Sequence, residues 1–233
     1  MEYFYAPPSH ITMPTLRIEG EEFVHLSHVM RKKENDTICV VDGCGNLYEA
    51  AITRITGRAA FCTVTSHTTG VNEPLRQATL GVGILKHGAN FDFLVEKATE
   101  LGVHTIVPLF TERTIPTHAK PDRWRKLALA AMKQSRRCFL PLIGPLTFLA
   151  DFLRSSDRAA VRLIAHEKTE HLLLRDSIPR DASRVVLVIG PEGGFSEGEI
   201  VLAKEEGFVP VGLGPRRLRT ETAAIVAVAQ ALM

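Results

Sequence analysis

Three glycines, a proline and a glutamate fill the five positions Gly190-Pro191-Glu192-Gly193-Gly194. Glycine tolerates positive φ and lets a ligand lie against bare backbone, so this run can hold a small molecule by its N–H and C=O groups. An ordinary strand-to-helix turn explains one glycine, not three around a Pro-Glu pair. Phosphate is not the expected guest. The run lacks the Gly-Lys-Ser/Thr of a P-loop and the G-x-G-x-x-G of a dinucleotide fold, and Glu192 sits at its centre. A neutral or cationic ligand suits it better. A second run follows, Leu213-Gly214-Pro215-Arg216-Arg217-Leu218-Arg219-Thr220-Glu221-Thr222-Ala223. Here three arginines precede a helix start that Thr220 can cap. The unpaired N–H groups of such a start favour an anion or a polar group.

A third group of residues is basic. The net charge is only +2, yet residues 113–137 hold eight Lys or Arg against one acid, Asp122. A solvated helix face carries mixed charge; this imbalance points to RNA phosphates. His25 and His28 have metal-like spacing, but no second ligand cluster accompanies them, and no metal site is expected. Cys39, Cys44, Cys62 and Cys138 form no C-x-x-C pair, which reads as reduced thiols in a cytoplasmic protein. No apolar run is long enough for a membrane span, and the first residues, MEYFYAPPSH, have no signal-peptide pattern.

These residues need elements to position them. Residues 185–189 are all apolar and largely β-branched, which predicts a buried strand of a parallel sheet. Ser196-Glu197-Gly198-Glu199 fits a capping box, so a helix should run from there to about Glu206. The glycine run then lies at the carboxyl end of a strand, where open α/β sheets bind ligands. Upstream, strands are expected at 79–85, 105–109 and 162–165, and downstream at 209–213. Helices are expected from Asn90, its cap, to Gly102, and over 123–136 with Trp124, Leu127 and Ala131 inward and Lys126, Lys133 and Arg137 on the other side. A last helix covers 221–232, with Ile225, Val228, Ala229 and Leu232 as one apolar face. Gly81 and Gly83 read as strand packing. This alternation predicts helices covering a parallel sheet. Residues 1 to 70 differ. Strands at 37–41, 47–55 and 60–65, a DGCGN turn at 42–46, and a helix at 22–31 with Phe23, Leu26 and Met30 on one face make a small β-rich domain. The polar stretch 68–74 marks the boundary, giving domains 1–70 and 75–233.

Taken together, GPEGGFSxxE and the following LGxRxLRTETA resemble the bacterial RsmE family, the 16S ribosomal RNA uridine-N3-methyltransferases of the SPOUT superfamily. His25-Leu26-Ser27-His28-Val29-Met30-Arg31 is similar to that family's HLxxVLR, and Lys86, Glu96-Lys97 and Glu100-Leu101-Gly102 to its K…EK..ELG. Gln134-Ser135-Arg136-Arg137 is similar to its EQS-x-R. The chain departs from the pattern at Glu2, at Lys133 and at Asn35-Asp36.

The resemblance implies an α/β trefoil-knot domain after a small PUA-like β-barrel, S-adenosylmethionine as cofactor, and a homodimer acting on RNA of the small ribosomal subunit. It implies cofactor contacts at Ala165, His166, Gly190, Glu192, Gly194, Leu213, Gly214, Leu218, Arg219, Thr222 and Ala223. A cation near uracil O2 or O4 would stabilise the anion formed as N3 loses its proton, with Arg219 the first candidate and Arg113 the second. Glu221 or Glu192 would accept the proton. Arg31, Lys32, Lys33, Arg123, Lys126, Arg136 and Arg137 are the RNA-backbone candidates. Two alternatives stay open: an RNA-binding protein without catalysis, and a relative methylating another RNA nucleotide.

Overall fold

The computed structural model describes residues 2–115, 119–169 and 171–233. It divides into two compact units. One comprises Met1–Glu73 with Leu129–Leu140, the other Pro74–Ala128 with Pro141–Met233.

The first unit is a six-stranded sheet built from β1 (Tyr3–Tyr5), β2 (Ile11–Thr12), β3 (Thr15–Glu19), β4 (Thr37–Val41), β5 (Asn46–Ile55) and β6 (Ala59–Thr69). Their order is β1-β4-β5-β6-β3-β2, with β1 and β4 parallel and the other pairs antiparallel. Alternate side chains of β3 turn inward, whereas β4 is buried on both faces from Ile38 to Val41. Leu16, Ile18, Ile38, Val40, Ala50, Ile52, Ala60 and Cys62 form the core with Phe4, Phe23 and Leu26. The expected helix begins earlier, as α1 (Gly20–Val24), and continues as a π-helical turn at His25–Val29. That wider turn breaks the 3.6-residue phase. Phe23 and Leu26 are buried as expected, while Met30 is swung outward to 37% exposure.

The second unit is the parallel sheet. Its elements are β7 (Gln77–Gly83), α2 (Gly88–Glu100), β8 (Thr105–Phe110), α3 (Pro121–Gln134, of which the residues from Leu129 on belong to the first unit), β9 (Leu142–Ile143), β10 (Thr147–Phe148), α4 (Leu149–Ser155) and β11 (Val161–Ala165). They continue with β12 (Arg184–Ile189), α5 (Glu197–Glu205), β13 (Val209–Val211) and α6 (Thr220–Leu232). The order is β10-β8-β7-β12-β11-β13, with β9 also paired to β8 and every pairing parallel. β12 lies between β7 and β11, and Val185 to Ile189 are all buried, which explains its unbroken apolar run. Val186 and Val188 pack with Phe152 of α4 and Ile200 and Ala203 of α5. α6 lies against β7, β12 and α2, so the chain returns from the edge strand β13 to the middle of the sheet.

Two helix starts differ from expectation. α2 begins at Gly88, and Asn90 stands inside its first turn, donating its N–H to His87 O. In α6 the N-cap is Arg219, and Thr220 is the first helical residue, with no side-chain cap. The buried face of α6 is Ala224, Ala227, Val228 and Ala231, while Ile225, Ala229 and Leu232 are only half-buried. Small side chains face inward because α6 packs closely on both the sheet and α2. Gly81 serves strand packing: a Cβ there would stand 2.7 Å from the Phe152 ring.

Candidate active site: a glycine-walled cleft

A cleft of about 970 Å³ opens where β11, β12 and β13 end. Three chain segments wall it. The first follows β12. Pro191 is packed so tightly on β7 that a Cβ at Gly83 would lie 2.5 Å from its nitrogen. Gly194 has φ +67 and donates its N–H to Pro191 O at 2.8 Å. The turn is closed at its far end by Ser196, whose hydroxyl accepts from Glu199 N while the Glu199 carboxylate accepts from Ser196 N. The expected capping box is therefore present. The second segment follows β13, where Gly214 takes φ +116. The third, residues 166–169 and 171–174, follows β11 and crosses Gly212. There Gly212 N donates to Leu172 O, Leu174 N donates to Gly212 O, and a Cβ on Gly212 would meet Thr169 O at 2.2 Å.

Backbone therefore forms much of the wall. Nothing lies within 4 Å of where a Cβ on Gly194 or Gly214 would point. Ile189, Leu213, Leu218 and Phe195 supply apolar surface, and Glu167, Glu192 and Glu197 supply carboxylates. His166 is held below the usual imidazole range, first by burial and then by Lys168. A flat heterocycle with a cationic substituent fits this donor set: apolar faces for the ring, main-chain groups for its edge, carboxylates near the positive charge. Exposed pairs at the mouth, Lys168–Glu197 at 3.4 Å and Arg217–Glu167 at 3.8 Å, contribute little energy.

Of the expected contacts, Ala165, His166, Gly190, Glu192, Gly194, Leu213, Gly214, Leu218 and Ala223 line the cleft, and Arg113 joins them. Arg113 Nη1 donates to Gly193 O at 2.8 Å. Arg219 and Thr222 are exposed and Glu221 is buried, and none of the three lines the cleft. Glu192 has a structural partner that the sequence did not suggest: its Oε1 accepts from Lys86 N at 3.0 Å. The strap formed by residues 166–169 and 171–174 also escaped the sequence. Its trace there is Gly212, a glycine forced by the close pass of Thr169.

The basic residues fall into several environments. In the first unit, Arg31 (φ +52) and Lys33 are exposed and Lys32 is half-buried. Arg136 is exposed with φ +58. Arg137 is a correction. It is 3% exposed, its Nη2 lies 2.7 Å from Glu73 Oε2, and Glu73 Oε1 accepts from Cys138 N and Phe139 N. A buried cation spent on a half-buried carboxylate cannot contact RNA. Lys133 is likewise tied to Glu22. In the second unit, Lys126 is exposed, and Arg123, paired with Asp92 at 2.7 Å, keeps 60% of its side chain exposed. The indole of Trp124 packs on Phe91 as the inward position required.

Comparison with known proteins places this geometry among relatives. Residues 71–232 fit the model of an RNA methyltransferase domain, and residues 18–65 that of an RNA methyltransferase PUA domain. The chain is 33% identical to a ribosomal RNA small subunit methyltransferase E from Synechocystis over 96% of this chain and 74% of that one. Against the protein of the same name from Aquifex aeolicus it is 31% identical over 100% and 99%. The fold superposes with a TM-score of 0.88 and 32% identity on the crystal structure of a ribosomal RNA small subunit methyltransferase E from Neisseria gonorrhoeae bound to S-adenosylmethionine, covering 98% and 95% of the two chains.

Proposed function

The chain belongs to the ribosomal RNA small subunit methyltransferase E family of RNA methyltransferases, and on that premise we propose that it methylates N3 of one uridine in the 16S RNA of the small ribosomal subunit, using S-adenosylmethionine. The observation that carries this reading is the cleft at the ends of β11, β12 and β13, walled by open glycine backbone and by both carboxylates and cations. When bound, the cofactor supplies an electrophilic methyl group on a cationic sulfur. The residues proposed to hold it are Ala165, His166, Gly190, Glu192, Gly194, Leu213, Gly214, Leu218 and Ala223, which line the cleft. Arg219 and Thr222 stand outside this lining.

The N3–H of uracil is a weak acid, so methyl transfer needs the proton to leave. Arg113 uses Nη1 on Gly193 O, and a guanidinium has five N–H donors. It is well placed to meet the oxygen on which the uracil anion's charge gathers. Arg219 is exposed between two cleft-lining residues, Leu218 and Thr220, and is proposed as the second cation. Glu192, which lines the cleft, is proposed as the proton acceptor, with Glu221, in the first turn of α6, the alternative. The target base must be unpaired or extruded for its N3 edge to be reached. Arg31, Lys32, Lys33, Arg123, Lys126 and Arg136 are proposed to hold the RNA backbone, and the active species is proposed to be a cytoplasmic homodimer.

Incubating the protein with labelled S-adenosylmethionine and separated ribosomal subunits tests this reading. Label is expected only in small-subunit RNA. Label in large-subunit RNA, or binding of RNA with no transfer and no cofactor affinity, would overturn it.

A further inference from the structure

The carboxylate of Glu199 makes two bonds of different kinds. Its Oε2 accepts from Ser196 N at 2.8 Å, closing the capping box of α5. Its Oε1 accepts from Glu112 N at 2.8 Å, a residue 87 positions away in the turn after β8. That turn is otherwise closed on itself, with Thr111 N donating to Thr114 Oγ1 at 2.9 Å and Thr114 N to Thr111 O at 3.1 Å. The neighbour of Glu112 is Arg113, which reaches Gly193 O and lies so close that a Cβ on Gly193 would stand 3.1 Å from Arg113 Cβ.

We infer that Glu199 is a positioning residue for methyl transfer: through Glu112 N it fixes the turn that aims Arg113 into the cleft. This rests on the methyltransferase reading and adds a role for a residue that touches neither cofactor nor substrate. The chemistry of the side chain allows the two bonds to be separated. A capping box accepts Gln as well as Glu at this position, so Glu199→Gln keeps one carbonyl oxygen for Ser196 N. Its other terminal atom becomes an NH₂ donor, which cannot accept from Glu112 N. With that oxygen on Ser196 N, the substitution retains the helix cap and deletes the tether; the amide turned the other way would keep the tether and lose the cap, and loss of protection at Ser196 alone would then overturn the inference.

Misplacing a group at a reacting centre can cost as much as about 100-fold, and deleting a donor that stabilises developing charge costs about 100-fold or more. Glu199→Gln is expected to lower kcat about tenfold and Arg113→Ala about 100-fold. The double variant should match Arg113→Ala alone, because a tether has nothing left to aim. Cofactor affinity should stay within about twofold in Glu199→Gln. Multiplying effects in the double variant, an unchanged kcat in Glu199→Gln, or cofactor affinity falling as far as kcat would each overturn the inference. Hydrogen exchange in the protein without substrate gives a readout independent of turnover. In Glu199→Gln the Glu112 amide should exchange faster while the Ser196 amide stays protected. Equal loss of protection at both would mean that the cap itself has failed and would also overturn it. If the unaltered protein methylates no small-subunit RNA, the functional reading fails, while the exchange result still decides the tether.

Discussion

Arg137 and Arg113 carry the same charge and meet opposite environments. Arg137 is 3% exposed against Glu73, which also receives the N–H groups of Cys138 and Phe139. Removing one partner of such a buried pair leaves an uncompensated charge, so Arg137→Met should destabilise the fold by about 3–5 kcal/mol. Denaturant unfolding would measure this; a loss below about 1 kcal/mol, the range of surface pairs, would mean the pair is solvated. The charge run around it was legible in the sequence, but its burial was not, because Glu73 lies 64 residues away. His166 gives a second residue-scale test. Its folded pKa is lowered by burial and Lys168, so the unfolded chain takes the proton first. The contribution to stability is complete above the unfolded pKa of about 6.5 and declines as pH falls below it towards the folded value. His166→Asn should flatten stability against pH in that window, read from unfolding curves; an unchanged slope would mean another group is responsible.

At the scale of elements, the most legible piece was the one with the most local chemistry. The apolar run of β12, the glycine turn and the Ser196–Glu199 box are written within a short stretch, and the structure places each as read. The cap of α2 was read three residues late and that of α6 one residue late. There Asn90 and Thr220 resemble caps, but neither side chain caps. The π-helical turn at His25–Val29 shifted Met30 outward, and a pattern search assuming 3.6 residues per turn has no means of seeing it. The apolar face of α6 was misjudged because alanine reads as weakly hydrophobic, yet close helix packing selects it. The crossing of Gly212 by the strap after β11 was also hidden. Gly212→Ala would drive a Cβ into Thr169 O, and the strap must move. We expect a loss of about 1–3 kcal/mol in stability and weaker cofactor binding, by thermal unfolding and titration calorimetry. Unchanged values for both would show that the strap is free to shift.

For the whole molecule, the class of fold followed from the alternation of strands and helices, and the β-rich first 70 residues stood apart by their strand and turn pattern. What no window could show is that residues Leu129–Leu140 pack within the first unit, with Met132 and Cys138 buried beside Tyr3, Cys39 and Val41. Among the described residues no helix is long and apolar enough to cross a membrane. RNA binding is a property of the assembled surface, and its electrostatics can be counted. Each RNA phosphate contact adds roughly 0.7–0.9 to the slope of log affinity against log salt. Replacing exposed Lys126 by Glu should reduce that slope by about one contact in a filter-binding series. The same slope before and after would remove Lys126 from the RNA surface.

The central claim is tested most directly by nucleoside analysis. Small ribosomal subunits from cells lacking this gene would be methylated by the protein with labelled S-adenosylmethionine, and their RNA digested to nucleosides. The account predicts label in N3-methyluridine alone. Label in any other nucleoside, or none with the cofactor bound, would contradict it.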